Sequence, residues 1–128
     1  MSTADRIGII VSLRRLLDEG PGEIHSLGLR TVQCNNWDVS LATRENAARV
    51  RDLLADRVAI ASVWAGWPGP AVWDFVDGPA TLGLVPAAYR AERIAALKRG
   101  ADLASWLGVR DVTTHVGFIP ENPSTTEY

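Results

Sequence analysis

Leu27-Gly28-Leu29-Arg30-Thr31-Val32 recurs about 80 residues later as Leu107-Gly108-Val109-Arg110-Asp111-Val112. Each copy reads as a helix end, a turn and a strand start. Leu closes the helix, and Gly supplies the left-handed residue just past it. A run with β-branched residues then begins a strand. The spacing suits two strand-helix units of roughly 40 residues with room for one long loop. Repeated units of this kind predict a parallel sheet wrapped in helices. In such folds the chemistry sits at the carboxyl ends of the strands.

Working outward, Ile7-Gly8-Ile9-Ile10-Val11 is a continuous apolar run and predicts the first strand. Gly20-Pro21-Gly22 breaks any helix that follows, so only a short helix over residues 23–27 is expected there. The second strand is expected over residues 31–34 and the third over 58–63. Between them Thr43 is placed to cap a helix, with Ala47, Val50, Leu53 and Leu54 inward. Residues 68–88 are rich in Pro and Gly and read as a mobile flap over the strand ends. The clearest helix runs over 89–107, with Ile94, Leu97, Ala101, Ala104 and Leu107 at helical spacing. Val112-Thr113-Thr114-His115-Val116 is the fourth strand.

The expected fold class is therefore α/β, with about four parallel strands and three helices in one region spanning 1–128. Two closures stay open on these grounds: a doubly wound sheet, or half of a (β/α)8 barrel. A full barrel takes at least about 200 residues, more than the 128 here. No glycine-rich phosphate loop follows the first strand, which counts against nucleotide binding.

Composition narrows the function classes. Apolar residues make up 47% and charged residues 22%, with a net charge of −2. There is no electrostatic footprint for nucleic acid. No apolar run reaches the roughly 18 residues that span a bilayer, so no membrane partner is expected. No signal-peptide pattern opens the chain, and a cytoplasmic location is the default expectation. The single cysteine, Cys34, excludes an internal disulfide and a thiolate metal cage.

Polar and aromatic residues gather at the expected strand ends. Ser12 follows the first strand, Asn35, Asn36, Trp37 and Asp38 the second, and Trp64 and Trp67 the third. His115 lies near the end of the fourth, with Glu121 and Asn122 beyond. An indole face packs on the C–H face of a sugar, while amides and carboxylates bond its hydroxyls. The expected small-molecule site is thus Trp37, Trp64, Trp67, His115 and Glu121, around a sugar or sugar-phosphate-like polyol. Each residue also has a plain structural role open to it. Tryptophans after strands often lid the core, a lone histidine is more often a hydrogen-bonded core residue than a ligand, and Asn35 and Asp38 suit turns and caps. No catalytic residue and no complete metal site is expected from the chain itself.

Three stretches carry a family resemblance: Trp64-Ala65-Gly66-Trp67-Pro68-Gly69-Pro70, Gly78-Pro79-Ala80-Thr81-Leu82-Gly83-Leu84-Val85-Pro86, and Thr114-His115-Val116-Gly117-Phe118-Ile119-Pro120-Glu121-Asn122-Pro123. With the opening Ile7-Gly8-Ile9-Ile10-Val11, they resemble the sugar phosphate isomerase/epimerase group of xylose isomerase-like TIM barrels. The resemblance implies a barrel about twice this length, with the chain ending before the later strands. It implies a divalent metal, Mn²⁺ or Mg²⁺, in full-length relatives, held by Glu, Asp, His and Glu from those later strands. It implies metal-assisted proton transfer next to a sugar carbonyl, with this chain alone inactive. His115 matches a histidine that faces the substrate cavity in the family and binds zinc in the related apurinic endonucleases. Two alternatives accompany this reading. One is a non-catalytic half-barrel that self-associates as a homo-oligomer or pairs with a missing second half. The other is an apurinic-type nuclease fragment, disfavoured by a pI near 5.6.

Overall fold

Four parallel strands lie side by side in the order in which they occur in the chain, β1-β2-β3-β4. In the computed structural model, which describes residues 7–119, they are β1 (Ile9–Ser12), β2 (Thr31–Asn36), β3 (Ala59–Ala65) and β4 (Val112–Thr113). This order decides between the two closures. A doubly wound sheet reverses direction at a switch point, whereas a barrel adds each strand beside the last. The chain is an open α/β half-barrel.

The two copies of the quoted phrase fold alike. Gly28 and Gly108 both take positive φ, +67° and +75°. The residue after each glycine reaches back to a helix carbonyl, Leu29 N to Ile24 O at 3.1 Å and Val109 N to Ala104 O at 2.8 Å. That back-bond closes the helix and turns the chain into the next strand.

Among the described residues the α-helices number five, two of them short additions to the expected three. Leu13–Glu19 forms α1 directly after β1, because the Ser12 hydroxyl accepts the Arg15 N–H and caps it. Gly20 then ends it, and α2 (Gly22–Ser26) completes the first crossover. Helix α3 (Arg44–Leu54) starts at Thr43, whose Oγ1 accepts the Asn46 N–H as its cap. A single turn, α4 (Gly78–Thr81), interrupts the long loop, and α5 (Arg90–Leu107) is the longest helix.

Val11, Val32, Cys34 and Val63 from the strands meet Leu13, Leu16, Val50, Leu54, Leu103 and Leu107 from the helices in one buried core. The other face of the sheet, which a closed barrel would turn inward, is mostly polar. Its rows are Ile10-Gln33-Ser62 and Ser12-Asn35-Trp64-Thr113, read across the paired strands. Strict alternation along β3 would put Ile60 on this face with Ser62 and Trp64. An extra residue, Ala61, bulges between the pairs Val32–Ile60 and Gln33–Ser62. The bulge returns Ile60 to the core side and leaves Ser62 and Trp64 on the open side.

The buried face of α5 differs from the expected one. It consists of Arg93, Ala96, Gly100, Leu103, Ala104 and Leu107, whereas Ile94 and Ala101 face outward. Gly100 sits where a Cβ would come within 2.5 Å of the Ala65 Cβ, so its missing side chain lets α5 press onto β3.

Candidate functional site

Each strand delivers an aromatic or polar group to its carboxyl end. Trp37 follows β2, Trp67 follows β3, and His115 lies two residues past β4. Trp64 is not beyond the third strand but inside it, paired with Asn35 and Thr113 on the open face. The four side chains stand together. Trp37 and Trp64 have ring centroids 4.5 Å apart, Trp37 and Trp67 5.2 Å, and Trp67 and His115 6.4 Å. Glu121 lies outside the described residues.

Local packing explains how the cluster holds its shape. At Gly66 a Cβ would fall 2.7 Å from the Trp37 ring, so the bare backbone there gives the indole its seat. Gly66 N also bonds Asn36 O at 2.9 Å, tying the ends of β2 and β3. Trp67 is almost wholly buried, yet its indole N–H finds no acceptor among the described residues. Its position is set by packing against Leu82, Ala96 and the neighbouring rings. His115 Nδ1 accepts the Gly117 N–H at 3.1 Å, which commits that nitrogen and leaves Nε2 as the ring's other polar atom.

Three further residues join the site. Trp73 comes down from the long loop to 5.1 Å from His115 and 6.3 Å from Trp37. Gln33 and Asn35 rise from β2 on the open face. With Ile10, Trp37, Trp64 and Trp73 they line a cleft of about 220 Å³. Gln33 Nε2 donates to Ser62 Oγ at 2.8 Å, while Asn35 Oδ1 is buried without a donor among the described residues. An orphaned buried acceptor calls for a partner. The alternation of β2, with Val32 and Cys34 buried and Gln33 and Asn35 opposite, was the available sign of these two amides. Larger grooves open elsewhere, two of them at the amino ends of the strands, but the barrel logic and the aromatic cluster both favour the carboxyl ends.

Other candidates have structural duties. Ser12 caps α1. Asp38 caps a 3-10 turn through Ser40 and pairs with Arg14, and the Ser40 hydroxyl, then Arg14, hold its carboxyl below the ordinary carboxylate range. His25 is exposed on α2. Cys34 is buried in the core, and desolvation pushes its thiol up to about 12.

The long loop, expected as a mobile flap, carries the turn α4 and is tied down at several points. Leu84 N and Val85 N bond Val116 O, and Arg90 and Arg93 donate to its carbonyls. Its tip, with Phe75 and Val76 more than 80% exposed, stands away from these ties.

Among the described residues no three of His, Cys, Asp and Glu approach one another closely enough to hold a metal ion. His115 stands among indoles and a phenyl ring. The residues present therefore do not fit the divalent metal that the resemblance implies. No helix among them is long and apolar enough to cross a membrane.

In class, the chain is four of the eight strands of a TIM barrel with an aromatic, amide-lined cleft at their carboxyl ends. It is similar to the crystal structure of a xylose isomerase domain protein from Planctomyces limnophilus, fitting the N-terminal half of that protein. The two are 31% identical with a TM-score of 0.84, over 95% of this chain and 45% of that one. The chain thus spans less than half the length of that protein. No family model matches the chain, and no curated protein matches it.

Proposed function

We propose that this chain forms the N-terminal half of a sugar isomerase- or epimerase-like barrel and supplies one wall of its polyol site. The observation that carries this reading is the cleft itself. The indoles of Trp37, Trp64 and Trp73 border a floor of two amides, one with an unmatched acceptor, Asn35 Oδ1. A sugar or sugar phosphate meets such a surface with C–H groups against the rings and hydroxyls against Gln33, Asn35 and His115.

The reaction of an intact relative, proton transfer next to a sugar carbonyl, needs a base and charge stabilisation on the opposite wall. The four remaining strands come from a second copy of this chain or from sequence other than residues 1–128. The chain alone then binds without turning over. A divalent ion, Mn²⁺ or Mg²⁺, would be held by those other strands. A second reading, a non-catalytic half-barrel, draws support from the polar open face, which tolerates water better than an apolar one.

The test is a tryptophan-fluorescence titration with ketoses, inositols and their phosphates, alongside an isomerase assay with Mn²⁺. The expected result is a saturable response to one polyol class, weakened about 5- to 30-fold by Asn35→Ala, and no turnover. Loss of a single hydrogen bond to a hydroxyl sets that range. Indifference to every polyol would defeat the binding reading. Turnover that survives repurification and disappears in His115→Ala would defeat the claim that the chain alone is inactive.

A further inference from the structure

One charged side chain inside the fold is met by backbone rather than by an opposite charge. Arg93 is completely buried on the inner face of α5, and no carboxylate among the described residues pairs with it. Four backbone carbonyls receive its guanidinium instead. Nε donates to Pro68 O at 3.2 Å and Nη2 to Pro70 O at 2.8 Å, on the leg of the long loop that leaves β3. Nη1 donates to Thr81 O at 2.7 Å and Gly83 O at 2.8 Å, on the leg that returns. Four donors from one planar group thus clamp both legs at once.

What those legs touch gives the clamp its meaning. The first begins at Trp67, and the guanidinium carbon lies 5.6 Å from the Trp67 ring centre. The Trp67 N–H has no acceptor among the described residues, so packing orients the ring, with Leu82 and Ala96 against it and the Arg93 guanidinium over it. The second leg runs from Gly83 into Leu84 and Val85, whose N–H groups both bond Val116 O. The next residue, Gly117, donates its N–H to His115 Nδ1. A continuous set of hydrogen bonds and peptide units leads from Arg93 to the imidazole.

We propose that Arg93, which does not line the cleft, is the positioning residue of its rim, fixing Trp67 by stacking and His115 through the Gly83–Val116–Gly117 backbone. Its importance for binding rests on the polyol reading above; its geometry does not. The fork is what matters, because a lysine carries its charge at one point and cannot serve both legs.

The test uses the ¹⁵N-labelled chain, read by the imidazole and indole resonances. In the wild type the Arg93 Nε–H should exchange with water at least about 100-fold more slowly than those of the exposed Arg14 and Arg15, as a buried and bonded donor does. In Arg93→Met and Arg93→Lys the signals of His115 and Trp67 should move, while those of His25 and Trp106, outside this network, stay in place. Unmoved His115 and Trp67 signals in a folded variant would overturn the proposal. So would an Arg93 Nε–H that exchanges as fast as that of Arg14, a measurement that needs no variant to fold. A polyol titration separates the two claims. If rim signals move in the variants but no polyol binds the wild type, the binding reading fails and the positioning role stands. If polyol binds wild type and variants equally and the rim is unmoved, the positioning role fails and the binding reading stands.

Discussion

At the scale of single residues, the site depends on side chains that are small or unreactive as much as on those that face the cleft. Gly66 is where the Trp37 indole lies against bare backbone. Gly66→Ala should push that ring away and weaken the near-ultraviolet circular dichroism of the tryptophan cluster, with the far-ultraviolet spectrum unchanged. A spectrum identical to wild type in both regions would contradict the contact. Burial also governs the reactivity of Cys34. Its thiol is pushed up to about 12 by burial, so at pH 8 it stays protonated, and the thiolate is the reactive form. Thiol reagents should modify the native chain at least about tenfold more slowly than the denatured chain, in which the ordinary value near 8.5 returns. Trp37, Trp64, Trp67 and His115 were legible in the sequence because each follows or ends an apolar strand run. Gln33 was not singled out, because a polar residue inside a strand reads as ordinary alternation until its facing cleft is known.

At the scale of elements, strands and caps were easier to read than helix faces. Thr43 was legible as a cap by its type and place, and its hydroxyl does bond the Asn46 N–H at 3.1 Å. Thr43→Ala should cost about 1 kcal/mol, measured by urea denaturation, as N-cap losses do. The inner face of α5 was harder. Ile94 was the natural inward choice by hydropathy, yet Arg93 takes the place because backbone carbonyls wait there to receive it. Those acceptors come from a distant loop, and no local pattern announces them. Arg49 and Arg99 act similarly, donating to Leu17 O in α1 and to Ala42 O just ahead of α3. Gly100 was overlooked for the opposite reason, since a helix-interior glycine reads as a weakness. Its contact with Ala65 makes it a spacer, and Gly100→Val should lower stability by roughly 2 kcal/mol or more through overpacking. A melting temperature at or above wild type would show that α5 has room to move.

At the scale of the whole molecule, two features pull against each other. As bare sequence, the strand runs leave open whether Ile9, Val11, Val63 and Val112, or their neighbours, would meet water on the open face. Val11 and Val63 are instead buried against the helices, and Ile9 and Val112 pack beside them. Their neighbours Ser12, Ser62, Trp64 and Thr113 occupy the open face, with Ile10 its most exposed aliphatic residue at 65%. One-residue shifts of this sort follow from the period of two in a strand and from the bulge at Ala61, neither of which fixes a face until the partner strands are known. The open face therefore gives less drive to associate than an apolar one. The edges give more: among the described residues β1 and β4 each carry one unpaired side, and Phe75, Val76 and Val116 are exposed at the rim. The central claim is that these four strands are half of a barrel and need four more. Sedimentation equilibrium of the isolated chain at micromolar concentration tests it most directly. Self-association towards a mass about twice the 13.9 kDa of one chain is expected, with two copies packed about a two-fold axis. A monomer of 13.9 kDa that stays compact and melts cooperatively at every concentration would contradict it.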